Sequence, residues 1–215
     1  MSSLPAFAPS RPVVVRPYQP GWAAEFAALA ARLRAVAGDE LLGLDHVGST
    51  AVPGLCAKDV LDVQLLVPRL ADAAGLLARL RAAGFRPKEG FQCDVFRGVP
   101  ADSPELGKRY VREPAGERRV HLHVREAGRF NARFALLFRD YLRAHAPARD
   151  AYGEFKCRAA ALFPASIEGY LYVKEPVFQL LYQAAELWAG QVGWTPPPPG
   201  PKDLGAAEAT SEKPR

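Results

Sequence analysis

The sequence has no apolar run approaching the roughly 20 residues a membrane-crossing helix needs, and its longest uninterrupted apolar stretches are strand-sized. A helical bilayer span is excluded, and no membrane partner is expected. The first 11 residues contain Pro and Ser but no basic region followed by an apolar one, so they do not read as a secretory signal. The expected compartment is the cytoplasm. Cysteine is scarce: Cys56, Cys93 and Cys157 lie far apart with no CxxC pair, which argues against a zinc knuckle or redox couple and predicts free buried thiols. The kinase P-loop G-x-x-x-x-G-K-[ST] does not occur. Neither does a G-x-S-x-G elbow: Ser49 lies in Gly-Ser-Thr and Cys56 has no sequence-visible base, so hydrolase chemistry is disfavoured.

What is present is an ordinary globular balance, 49% hydrophobic and 24% charged, over 215 residues, which suits one domain plus tails. The net charge of +5 is carried mostly by Arg, whose planar fork suits phosphate and carboxylate groups, so acidic ligands are expected. These charges are spread along the chain rather than gathered in a block, and nucleic acid is not an expected partner.

Residues 13–15 read as a strand, followed by a helix with Trp22, Phe26, Leu29, Leu33 and Val36 at spacings of three and four and Gly38 as its stop. Strands are expected over 41–47 and 60–67, a helix over 71–83 ended by Gly84, and further strands near Phe85 and over 94–98, 109–112 and 119–125. From 131 to 188 the pattern becomes helical, with aromatics such as Tyr141, Tyr152, Tyr170 and Phe178 read as packing residues. The fold class is α+β, a mixed sheet packed with helices and extended by a C-terminal helical segment. Residues 12–190 form the domain, 1–11 a flexible start and 191–215 a disordered, Pro-rich tail.

The most informative stretch runs from Asp45 through His46-Val47-Gly48-Ser49-Thr50-Ala51-Val52-Pro53-Gly54-Leu55 to Lys58 and Asp62. Together with His121 to Val124 and the Arg139 to His145 segment, it resembles the GrpB (UPF0157) family over roughly Val13 to Trp188. That resemblance implies a nucleotidyltransferase-like fold in which a Gly-Ser turn precedes an acidic strand. It implies a nucleotide or phosphorylated small molecule as ligand, a divalent metal (Mg²⁺ or Mn²⁺ before Zn²⁺), and an association with coenzyme A metabolism through a domain joined to dephospho-CoA kinase.

The residues support this chemistry. Gly48 lets the backbone approach a phosphate, while Ser49 and Thr50, with Lys58 and Arg119, supply donors and positive charge. Asp62 is the expected catalytic carboxylate and metal ligand. A second acid belongs two residues on, on the same strand face, where this chain has Gln64, so the acidic set is incomplete and a two-metal transferase site is doubtful. The Gln64 carbonyl oxygen can still serve a cation, and His121 and His123, which share a face by the same period, complete the expected metal set, His123 ahead of His121. Lys156 and Lys174 are candidate cations from the helical half. A non-catalytic binding or accessory module is the alternative reading, favoured by Gln64.

Overall fold

The computed structural model describes residues 5–198. Strand β1 (Val15–Arg16) is followed by α1 (Gly21–Ala37), β2 (Gly43–Val47), β3 (Ala57–Lys58), β4 (Leu61–Val67), α2 (Ala74–Ala82), β5 (Arg86–Lys88), β6 (Arg109–Arg112) and β7 (Val120–Glu126). Helices α3 (Phe130–Ala144), α4 (Ala146–Leu162) and α5 (Ile167–Val192) complete the order. The sheet has five strands in the order β2-β4-β7-β6-β5, parallel only between β4 and β7. This is the expected mixed α+β architecture.

Strand periodicity divides the sheet into two unlike faces. Leu61, Val63, Leu65 and Val67 of β4, with Val120, Leu122 and Val124 of β7, pack under α1 and α2 against Trp22, Leu33, Leu76 and Leu80. Helix α1 buries the stripe its spacing predicts and ends at Gly38, whose φ of 61° turns the chain while its N–H donates to the Arg34 carbonyl. The opposite face presents Asp62, Gln64, His121, His123 and Arg125 toward α3, α4 and α5. Those helices have their own core around Leu137, Phe138, Leu142, Tyr152 and Ala185.

Several expected elements differ. The 94–98 segment is no strand: the one bridge beside it is Cys93 to Gly107, and Val95 is 89% exposed while Phe96 packs against Phe130, Phe134 and Tyr182. Asp94 turns inward because its carboxylate answers Lys108 and Arg125, at 2.6 and 2.8 Å. An apolar count cannot register that pull. The 131–188 helical stretch is three helices, broken at His145 and before Ser166, whose hydroxyl caps α5 by accepting from the Gly169 N–H.

Described residues near both ends make contacts with the domain. Within the start read as flexible, the Ser10 N–H donates to the Ala165 carbonyl at 2.7 Å, and Phe7 packs edge-on to Phe163. At the other end α5 continues past residue 190 to Val192, and the Trp194 indole N–H donates to Asp140 at 3.2 Å beneath Arg133. An amphipathic tryptophan found a partner inside the stretch assigned to the tail. Most of that tail, residues 199–215, lies outside the described residues. A chain ending at Gly190 should melt about 3–8 °C below one ending at Pro198, since a lost hydrogen bond and indole contacts are worth about 1–2 kcal/mol. Equal melting temperatures would show that Trp194 adds nothing.

Candidate functional site

The site forms where β2 ends beside the middle strands. Val47 lies opposite Asp62, and the chain then turns at Gly48 into a single 3-10 turn over Ser49–Ala51. Gly48 has φ 71°, and a Cβ there would stand 2.5 Å from Asp62 Oδ2. Only glycine fits, for both backbone and space. The Gly-Ser turn and Asp62 are thus neighbours, as the motif implied.

Parallel register sets Asp62 beside His121 and Gln64 beside His123. His121 Nδ1 lies 3.0 Å and His123 Nε2 3.6 Å from the same carboxylate oxygen, Asp62 Oδ1. One ligand atom from each residue falls within 4.8 Å of the others. Burial would raise the Asp62 carboxyl, but the hydrogen bond with His121, with the His123 imidazole close by, outweighs it and holds the group well below the usual carboxylate range. His123 is pushed down to about 4, chiefly by burial, so its imidazole is neutral at pH 7 and can offer a lone pair. Two imidazoles and a carboxylate fit a transition-metal divalent cation; the nitrogen donors suit Mn²⁺ or Zn²⁺ better than Mg²⁺.

Two expected ligands are engaged elsewhere. Gln64 is fully buried: its Oε1 accepts from Arg125 at 2.8 Å and its Nε2 donates to the Ala132 carbonyl at 3.3 Å. It braces sheet against α3 rather than offering its oxygen to a cation. Thr50 is likewise interior, its hydroxyl donating to the Val60 carbonyl and bonding His46 at 3.0 Å, so its side chain holds the turn in place rather than facing a phosphate. Sequence reading missed the Asp94–Arg125–Lys108 cluster that supports Gln64. Arg125 stands two residues beyond His123, so the same period-two count could have found it.

Beside Asp62 opens a cleft of about 700 Å³ between the sheet and helices α4 and α5. Ser49, Lys58, Arg119 and His121 line it as expected, as do the candidate cations Lys156 and Lys174, and Arg11 and Arg112 join them. Asp62 is the single carboxylate among the described lining residues. Ser49, Asp62 and Lys174 are shared with a smaller adjoining cavity of about 180 Å³ walled by Phe134, Phe138 and Phe178. Among the described residues, Lys58, Lys156 and Lys174 meet no carboxylate in an ion pair; Lys156 donates to the Cys56 carbonyl, while Lys58 and Lys174 lie over aromatic rings. The cleft lining therefore carries more positive than negative side chains, with Asp62 as its one carboxylate among the described residues.

Crowding of these ammonium groups has a measurable consequence. Burial, then Lys58 and Lys156, pulls Lys174 down to about 7, and burial brings Lys156 to about 8. Their folded values lie below the unfolded one, so between about pH 7 and pH 9 the unfolded chain binds more protons and stability rises with pH. Lys174→Met should flatten that rise in thermal melts of the ligand-free protein. A slope unchanged by the substitution would mean that Lys174 is not desolvated.

The GrpB protein family model matches residues 12–184. A dephospho-CoA kinase of Mycolicibacterium paratuberculosis is 37% identical over 201 residues, covering 86% of this chain and 49% of that protein. The UPF0157 protein PA4798 of Pseudomonas aeruginosa is 36% identical over 169 residues, covering 77% of this chain and 64% of that one. The chain thus spans about half the length of the first curated relatives it matches. The crystal structure of conserved protein GrpB from Enterococcus faecalis superposes with a TM-score of 0.69 at 27% identity, covering 81% of this chain and 99% of that one. The chain belongs to the GrpB family.

Proposed function

We propose that the protein binds a nucleotide or another phosphorylated small molecule in the cleft beside Asp62, together with a divalent cation on a nucleotidyltransferase-like ground plan. The observation that carries this reading is the set of Lys58, Lys156 and Lys174, which have no carboxylate partner among the described residues, around a Gly48-Ser49 turn that abuts a carboxylate. Phosphate oxygens would accept from Ser49 and the lysines, with Arg119 at the rim. Asp62, His123 and His121 would hold the cation, Mn²⁺ in preference to Mg²⁺, which would neutralise phosphate charge and align oxygens for transfer. The name dephospho-CoA kinase borne by longer relatives is consistent with a nucleotide-derived ligand, but without a P-loop this chain would contribute binding rather than the kinase step.

The second reading, a binding module without transfer chemistry, draws on Gln64, which stands where a second acid would complete the metal set and is already committed to Arg125. Calorimetry with Mn²⁺ and a nucleoside triphosphate separates the two components. Wild-type protein should bind the triphosphate more tightly with Mn²⁺ than without it. Asp62→Asn should remove that enhancement, at least about tenfold in Kd for the loss of a charged ligand, with circular dichroism unchanged. Lys174→Met should weaken triphosphate binding with or without metal. Full metal enhancement in Asp62→Asn would refute a cation at Asp62, and absence of triphosphate binding in wild type would refute the anion seat.

A further inference from the structure

Two cysteines 101 positions apart in the chain meet beside the cleft, each next in sequence to a residue that lines it, Ala57 and Lys156. Cys56, in the segment that leads from the Gly-Ser turn into β3, places its sulfur 3.4 Å from that of Cys157 on α4. Its position is fixed by more than this contact. The Cys56 thiol also donates to the Gly153 carbonyl at 3.1 Å, and its own carbonyl accepts from Lys156. Gly153 and Cys157 lie one helical turn apart, so both face the Cys56 sulfur from the same side of α4. Cys157 is exposed and Cys56 half-buried, which gives the pair one accessible sulfur and one sheltered sulfur.

We infer that Cys56 and Cys157 form an oxidative modification site, closing to a reversible disulfide that latches the segment after the Gly-Ser turn to α4. Reaching a bond length of about 2.05 Å from the observed separation needs a movement of about 1.4 Å, within the range of small side-chain rotations. The oxidant class is a low-molecular-weight disulfide. The exposed Cys157 thiolate attacks one of its sulfurs, breaking the S–S bond and expelling one small thiolate. The Cys56 thiolate then attacks the Cys157 sulfur and expels the second. Two protein thiols are oxidised, one small disulfide is reduced to two thiols, and two protons go to the leaving thiolates. Burial and the hydrogen bond with Cys157 push the Cys56 thiol up to about 11, so the second step quickens as pH rises.

The test treats the full chain with oxidised glutathione, alkylates remaining thiols, and maps peptides by mass spectrometry alongside thermal melts. The expected product has lost two hydrogens and yields one joined peptide containing Cys56 and Cys157. It should melt at least about 5 °C higher, because the bond closes a loop of roughly 100 residues, and dithiothreitol should reverse the gain. Cys56→Ser and Cys157→Ser should each lack both effects. Accumulation of a stable glutathione adduct on Cys157 without the joined peptide would overturn the pairing. A joined peptide with an unchanged or lower melting temperature would overturn the latch, since the sulfurs would then meet only in an opened conformation.

Discussion

The close approach of the Asp62 carboxylate to the backbone of Gly48 is the contact on which the rest of the site depends. It fixes how the chain leaves β2, because a side chain at 48 would collide with the carboxylate and the backbone there is left-handed. It thereby sets where Ser49 points and where the following segment runs, through Val52 and Leu55 into the helical core and on to Lys58. The same carboxylate receives His121 and His123 from the neighbouring strand, so one group organises a turn, two imidazoles and the mouth of a cationic cleft.

The two faces of the sheet divide structural and chemical work. Beneath α1 and α2, alternate residues of β4 and β7 are uniformly apolar and supply the burial that stabilises the fold. On the other face the same strands carry a carboxylate, an amide, imidazoles and a guanidinium. Leaving these buried without partners would be costly, and the structure answers with Arg125 to Gln64 and Asp94, and Lys108 to Asp94. Arg125 and Lys108 outweigh the effect of burial on the Asp94 carboxyl, which stays well below the usual range. Removing Asp94 would leave two cations poorly compensated, and one of them, Arg125, lines the smaller cavity that adjoins the cleft.

Much of this was legible in the sequence because it rests on short-range rules. Period-two alternation placed His121 with His123 and Asp62 with Gln64, and the spacing of Trp22, Phe26, Leu29, Leu33 and Val36 gave α1. The Gly48-Ser49 turn was visible because a positive φ selects glycine. What escaped was set by long-range partners. Nothing local marks Asp94 as the counter-charge of a residue 31 positions away, or shows that the Gln64 amide is spent on Arg125. Nor does spacing reveal that Cys56 meets Cys157, or that Trp194 reaches back to Asp140. Lys156 and Lys174 could be named from the sequence only as candidates, because helix lysines usually face water, and the packing of α4 and α5 over the sheet is what turns both into the cleft.

The central claim is that one centre joins a cation on the Asp62–His121–His123 face to an anion held by the lysines. Pulsed electron paramagnetic resonance of Mn²⁺ added to the protein with a nucleoside triphosphate tests it most directly. Nitrogen couplings from directly bound imidazole and phosphorus couplings from the triphosphate are expected in the same spectrum, with the nitrogen signal lost when both histidines are replaced by Gln. Phosphorus couplings without nitrogen would place the metal on the nucleotide alone, away from these histidines, and would contradict it.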